Sequence, residues 1–110
     1  MVDPAVEKST RQYLKLVRNN GLVVRFGVVF GSQTIRRTDR LRNIELLVVS
    51  PHFDGEPDRR DTDLLWHLAA QSDNRIEPVP CGEVQWREDT VTPVLETARR
   101  EGQIISPEDW

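Results

Sequence analysis

Apolar side chains recur at Val6, Tyr13, Leu14 and Val17, spacings of three and four that line one helical face, and "NNG" at 19–21 is a stop signal, so the pattern predicts a helix over 4–20. Two runs then break that period. "LVVRFGVVF" at 22–30 and "IELLVVS" at 44–50 are β-branched and aromatic with little polarity, which predicts two central strands buried on both faces, because a strand with one wet face alternates more cleanly. "PHFDGEPD" at 51–58 gathers turn-forming proline, glycine and aspartate and ends the second strand. A helix follows, with Leu64, Leu65, Leu68 and Ala69 as its stripe, Trp66 at the margin, and Asp61 and Asp63 early, where the helix dipole favours acids. "NRIEPVP" at 74–80 predicts a third strand at or near an edge, since Pro78 and Pro80 cannot donate to a ladder. "PVLETARREG" at 93–102 predicts a last helix, with Pro93 early and Gly102 as its stop, before a brief apolar "QII". The order helix, strand, loop, strand, helix, strand, helix predicts an α/β (α+β) fold, a short mixed sheet flanked by helices.

Composition narrows the setting. A chain of 110 residues is one domain's length, and a second independent core does not fit. With a net charge of -3 and a pI near 5.4 there is no overall pull toward nucleic acid, so any basic surface is local. The single cysteine, Cys81, cannot close an internal disulfide, and no basic N-terminus leads into an apolar run, so the expected setting is reducing and cytoplasmic. The longest apolar run, Leu46 to Val49, is far short of the ~20 residues of a membrane span. His52 and His67 fall in a loop and on a helix and are read as structural, and Cys81 has no activating neighbour in sequence. Trp66, Trp86 and Trp110 lack interleaved basic residues and are read as packing residues or interface anchors, not base-stacking platforms.

Candidate chemistry concentrates between the two central strands. Gly31-Ser32 ends the first, where glycine lets backbone N–H groups approach phosphate oxygens and the hydroxyl adds a ligand. Positions 43 and 45 open the second strand at the i, i+2 spacing that puts two side chains on one face, about 7 Å apart at the backbone, within reach of shared metal ions. Asn43 and Glu45 occupy them, and Glu77 in the third strand is the candidate third ligand. Arg36, Arg37, Arg40 and Arg42 lie in the intervening loop, where guanidinium groups clamp phosphates or pair with acids such as Asp39 and Glu45.

This ordered set, "VVFGS", ten residues from Gln33 to Arg42, the triplet Asn43-Ile44-Glu45 running into "LLVVS", and Ile76-Glu77-Pro78, resembles the minimal nucleotidyltransferases of the polymerase-beta-like superfamily over about residues 22–105. "VVSPHFDG" and "IEPVP" look like a bacterial subgroup of them. The resemblance implies a nucleotidyltransferase fold and transfer of a nucleoside monophosphate from ATP, with Mg2+ held by three acids. Gly31 and Ser32 match the phosphate loop, and Glu45 and Glu77 match the second and third acids; Arg36 and Arg37 are candidate nucleotide contacts by their guanidinium chemistry alone. Three features depart from the pattern. Asn43 stands where the first acid belongs and brings neither charge nor basicity, Glu45 is a methylene longer than the usual aspartate, and "QTIRRTDRLR" has no second glycine. The expectation is a nucleotidyltransferase-fold domain whose acidic metal site is eroded, weak or inactive in transfer, retaining nucleotide binding as a pseudoenzyme does. Two alternatives stand beside it. One is an antitoxin-like interaction module that pairs with a HEPN-type ribonuclease toxin or another protein, or with a second copy as a homodimer. The other is an active metal-dependent transferase that tolerates Asn43 and Glu45.

Overall fold

The computed structural model describes residues 2–31, 43–56 and 58–106 of the chain. Helix α1 spans Pro4–Asn19; Asp3 caps it by accepting from the Ala5 N–H at 2.7 Å, and Pro4 fills a first-turn position where no N–H is needed. Strands β1 (Phe26–Phe30) and β2 (Ile44–Val49) follow, then a single 3-10 turn at Pro51–Phe53. Helix α2 (Arg59–Ser72), strand β3 (Ile76–Cys81), helices α3 (Glu83–Glu88) and α4 (Pro93–Glu101) and strand β4 (Gln103–Ile105) complete the order.

The four strands form one mixed sheet in the order β3-β2-β1-β4. β1 runs antiparallel to both β2 and β4, while β2 and β3 are parallel. Both central strands are buried on two faces, as their unbroken apolar runs predict, and each face has its own helices. Val29, Ile44, Leu46, Val48, Ile76 and Ile105 pack under Val6, Tyr13, Leu14 and Val17 of α1 and Leu65, Leu68 and Ala69 of α2. The opposite face, Val28, Phe30, Leu47, Val49 and Cys81, lies under Leu95 and Ala98 of α4, with Phe26, Val79 and Trp86 at its border. The Tyr13 hydroxyl, buried, donates to the Leu65 carbonyl at 2.8 Å and ties α1 to α2; burial raises its pKa well above the usual phenol range, so the group keeps its proton.

β3 is an edge strand, and its prolines explain the edge. The Ile44 N–H donates to the Arg75 carbonyl at 2.8 Å and the Ser50 N–H to the Cys81 carbonyl at 3.0 Å, so the odd-numbered residues of β3 turn their bonding groups toward β2. By the two-residue period, the nitrogens of Pro78 and Pro80 face the open side, where no neighbour needs a donor.

Three elements differ from the sequence pattern. The first strand begins at Phe26 and not at 22, because β2 ends opposite Phe26 at Val49 and β4 reaches only Gly27 to Val29, which leaves residues 22–24 without a ladder on either side and Arg25 with its N–H donated to the Val49 carbonyl at 2.8 Å. They still alternate, with Leu22 and Val24 buried and Val23 exposed. Helix α3 had no apolar period to reveal it and buries none of its residues fully. It is held at its N-terminus by Asp54, whose carboxylate accepts from the Glu83 N–H at 3.0 Å and the Val84 N–H at 3.2 Å, the capping role that Gly82, lacking a side chain, cannot perform. "QII" becomes β4, a strand of three residues that exists because β1 offers it an antiparallel edge.

Candidate functional site

The strand register brings the sequence's scattered candidates to one corner of the sheet. Glu45 of β2 is paired with Phe30 of β1 on one side and with Glu77 of β3 on the other. Registered residues of neighbouring strands project to the same face, about 4.8 Å apart, so the two carboxylates are direct neighbours on the face that carries Phe30, Leu47 and Val49. Asn43, exposed and two residues before Glu45, falls on that face as well. Its side-chain amide donates from Nδ2 to Oε1 of Glu77 at 2.6 Å, a contact across 34 positions of sequence.

Gly31 closes the corner at the end of β1. Its φ of 75° lies in the left-handed region, and a Cβ placed there would sit 1.5 Å from Oε2 of Glu45. The Glu45 carboxylate therefore lies directly over the Gly31 backbone, and glycine is required both by the turn and by this close approach. Partial burial between Phe30 and the strand ends raises the Glu45 carboxyl above the usual carboxylate range, and the neighbouring charge of Glu77 raises it further.

Of the residues singled out in sequence, Gly31, Asn43, Glu45 and Glu77 converge. Ser32, Arg36, Arg37, Arg40, Arg42 and Trp110 lie outside the described residues. Among the described residues no group of three or more His, Cys, Asp and Glu side chains is arranged to hold a metal ion. Phe30 is the corner residue that sequence reasoning did not single out; the signal was its place immediately before Gly31, which makes it the apolar flank of whatever side chain β2 sets beside it.

The remaining candidates take structural places. His52 sits in the 3-10 turn, and His67 on α2 contacts Gln71 at 3.1 Å between side-chain nitrogens. Cys81 is buried under α4, where desolvation pushes its thiol up to about 11, the nearby Arg99 opposing and Asp54 and Asp89 adding to the rise. Trp86 meets Phe26 edge-on with ring centroids 5.5 Å apart, and the Arg99 guanidinium stacks 5.1 Å from its ring centre. Arg99 also donates from Nε to the Trp86 carbonyl at 3.1 Å, satisfying an end of α3. Trp66 is half exposed on α2. A pocket of about 130 Å3 lined by Phe53, Asp58, Thr62, Pro80 and Gln85 lies at the other end of β2 and β3, away from the Glu45–Glu77 corner. No helix among the described residues is long and apolar enough to cross a membrane.

No protein-family model matches the sequence, and a search of curated proteins returns no match.

Proposed function

We propose that the chain is a nucleotidyltransferase-like domain that keeps a nucleotide-binding corner and is weak or inactive in nucleotidyl transfer. The observation that carries this reading is the convergence of Gly31, Asn43, Glu45 and Glu77 at one end of the sheet, with Glu45 and Glu77 in register. Glycine at the strand end is the residue type that lets a phosphate reach backbone N–H groups once the Glu45 carboxylate swings off Gly31, and paired acids on adjacent strands are groups that transfer chemistry employs. The amide at position 43, the added methylene of Glu45 and the loop without a second glycine depart from that pattern. Because such transfer consists mainly of positioning and charge neutralisation, exchanging one of three charged ligands for a neutral group removes a large part of what the site would supply.

The test is label transfer from ATP in Mg2+ or Mn2+, with the wild type, Asn43→Asp/Glu45→Asp and Glu77→Ala compared side by side. The reading expects wild type at the level of Glu77→Ala and a rise in the double variant. Robust transfer by the wild type that Glu77→Ala abolishes would instead establish an active metal-dependent enzyme.

A second reading, an interaction module of the antitoxin kind that pairs with a HEPN-type toxin or a second copy, is favoured by the apolar side chains the fold leaves outside: Trp66 at 49% exposure, Ile104 at 55% and Val91 at 83%. Aromatic anchors of this kind are enriched at protein interfaces. Purification from the native host separates the two, since a stoichiometric companion lost in Trp66→Ala supports pairing, while a chain that runs alone removes it.

A further inference from the structure

We infer that the Asn43 side-chain amide takes the place of a cation at this corner, holding Glu77 by hydrogen bonding, so that the wild-type site excludes divalent metal and the single change Asn43→Asp readmits it. The inference rests on reading the corner as a former nucleotide-transfer site, but its geometry is independent of any nucleotide.

Two carboxylates in register on adjacent strands repel one another, and a site of this form needs a positive group to hold them. In this chain each is engaged in a different direction. Glu77 accepts from Asn43 Nδ2 at 2.6 Å, a short hydrogen bond. Glu45 is turned over Gly31, with Oε2 where a Cβ would otherwise be. An ionised carboxylate only accepts, so it is the NH2 end of the amide that must face Glu77. That end cannot ligate a metal. For Asn43 to offer its oxygen to a cation the amide would have to turn over, leaving Glu77 facing no donor from position 43, and Glu45 would have to leave Gly31. Magnesium is exacting on both counts, because it demands near-octahedral oxygen ligands at about 2.1 Å. The donor set and its orientation therefore do not fit the ion that the family resemblance implies, and Asn43 acts as a positioning residue for Glu77.

Aspartate at position 43 changes the balance with little change in size. It removes the donor, adds a third carboxylate beside Glu77, and creates the charge that a divalent cation neutralises.

The test uses Mn2+ alone, without nucleotide, titrated into the full chain and followed by electron paramagnetic resonance of the free ion. Wild type, Glu77→Gln, Asn43→Asp and Asn43→Asp/Glu77→Gln are compared at neutral pH. The expected result is no difference between wild type and Glu77→Gln, at least tenfold tighter Mn2+ binding by Asn43→Asp, and loss of that gain in the double variant. A wild-type site that binds one Mn2+ and is weakened by Glu77→Gln overturns the inference, and this comparison stands even if Asn43→Asp fails to fold. A folded Asn43→Asp that binds Mn2+ no better than wild type overturns it equally. Since no nucleotide is present, failure of ATP to bind in a separate titration would count against the proposed function and leave the metal result intact.

Discussion

Replacing Asn43 by aspartate exchanges a hydrogen-bond donor for a like charge at the shortest polar contact of the corner, the 2.6 Å approach to Glu77. Two unit charges about 4 Å apart repel by about 1 kcal/mol in water and about 4 kcal/mol at an effective dielectric of 20. Asn43 is exposed, which places the cost toward the lower figure, and loss of the hydrogen bond adds to it. The expected destabilisation is about 1–2 kcal/mol at pH 7 and low ionic strength. Urea unfolding measures it, with Asn43→Ala as the control that loses the hydrogen bond without adding charge. The new carboxyl has its folded pKa raised by Glu77 above the unfolded value, so its stability contribution is present at acid pH and is lost as pH rises through the folded value. The deficit of Asn43→Asp should therefore shrink toward pH 3, and also in 1 M salt, where the screening length falls to about 3 Å. Asn43→Ala should show less of both dependences. An Asn43→Asp protein as stable as wild type at pH 7 in low salt, or one whose deficit ignores pH and salt, would refute the claim that the amide donates to Glu77.

Three further substitutions have outcomes set by the same contacts. Gly31→Ala should lose about 2 kcal/mol or more in thermal or urea unfolding, because alanine resists a φ of 75° and its Cβ would overlap the Glu45 carboxylate; in a Glu45→Ala background the loss should fall toward the backbone cost of about 1 kcal/mol. Glu45→Gln should stabilise the fold at pH 7 by roughly 0.5 kcal/mol and have no effect near pH 3, since a carboxyl raised by burial and by Glu77 contributes stability below its unfolded value that is lost as pH rises. Asp73 behaves in the opposite sense: hydrogen bonding and charge from Arg75, with a further bond from Ser9, hold its carboxyl well below the usual range, so its contribution is present at neutral pH and lost as pH falls through the acid range. Asp73→Asn should cost about 1–2 kcal/mol at pH 7 and progressively less toward pH 2, read by urea unfolding at both ends.

The fold was legible wherever one local signal dominated. The unbroken β-branched runs around Val28 and Leu47 announced strands buried on both faces, and the register confirms helices over each face. Pro78 and Pro80 marked β3 as an edge, and the sheet order bears that out. What stayed hidden depends on distant partners. Helix α3 is fixed by Asp54, 29 positions before Glu83, and no periodicity in "EVQWRE" reports that cap. β4 has only three residues and takes its form from β1. At the corner, the i, i+2 spacing of Asn43 and Glu45 and the strand character around Glu77 suggested a shared face. That Glu45 and Glu77 are paired in register, and that the amide of Asn43 turns its donor to Glu77, depends on strand register, which chain spacing does not encode.

The most direct test of the proposed nucleotide corner is a titration of the 15N-labelled chain with ATP in the absence of divalent metal, followed by amide chemical shifts. The account predicts saturable shifts centred on Gly31, Glu45 and Glu77, with residues around Phe53 and Thr62 at the far end of the sheet unmoved. Shifts confined to that far end, or none at millimolar ATP, would contradict it.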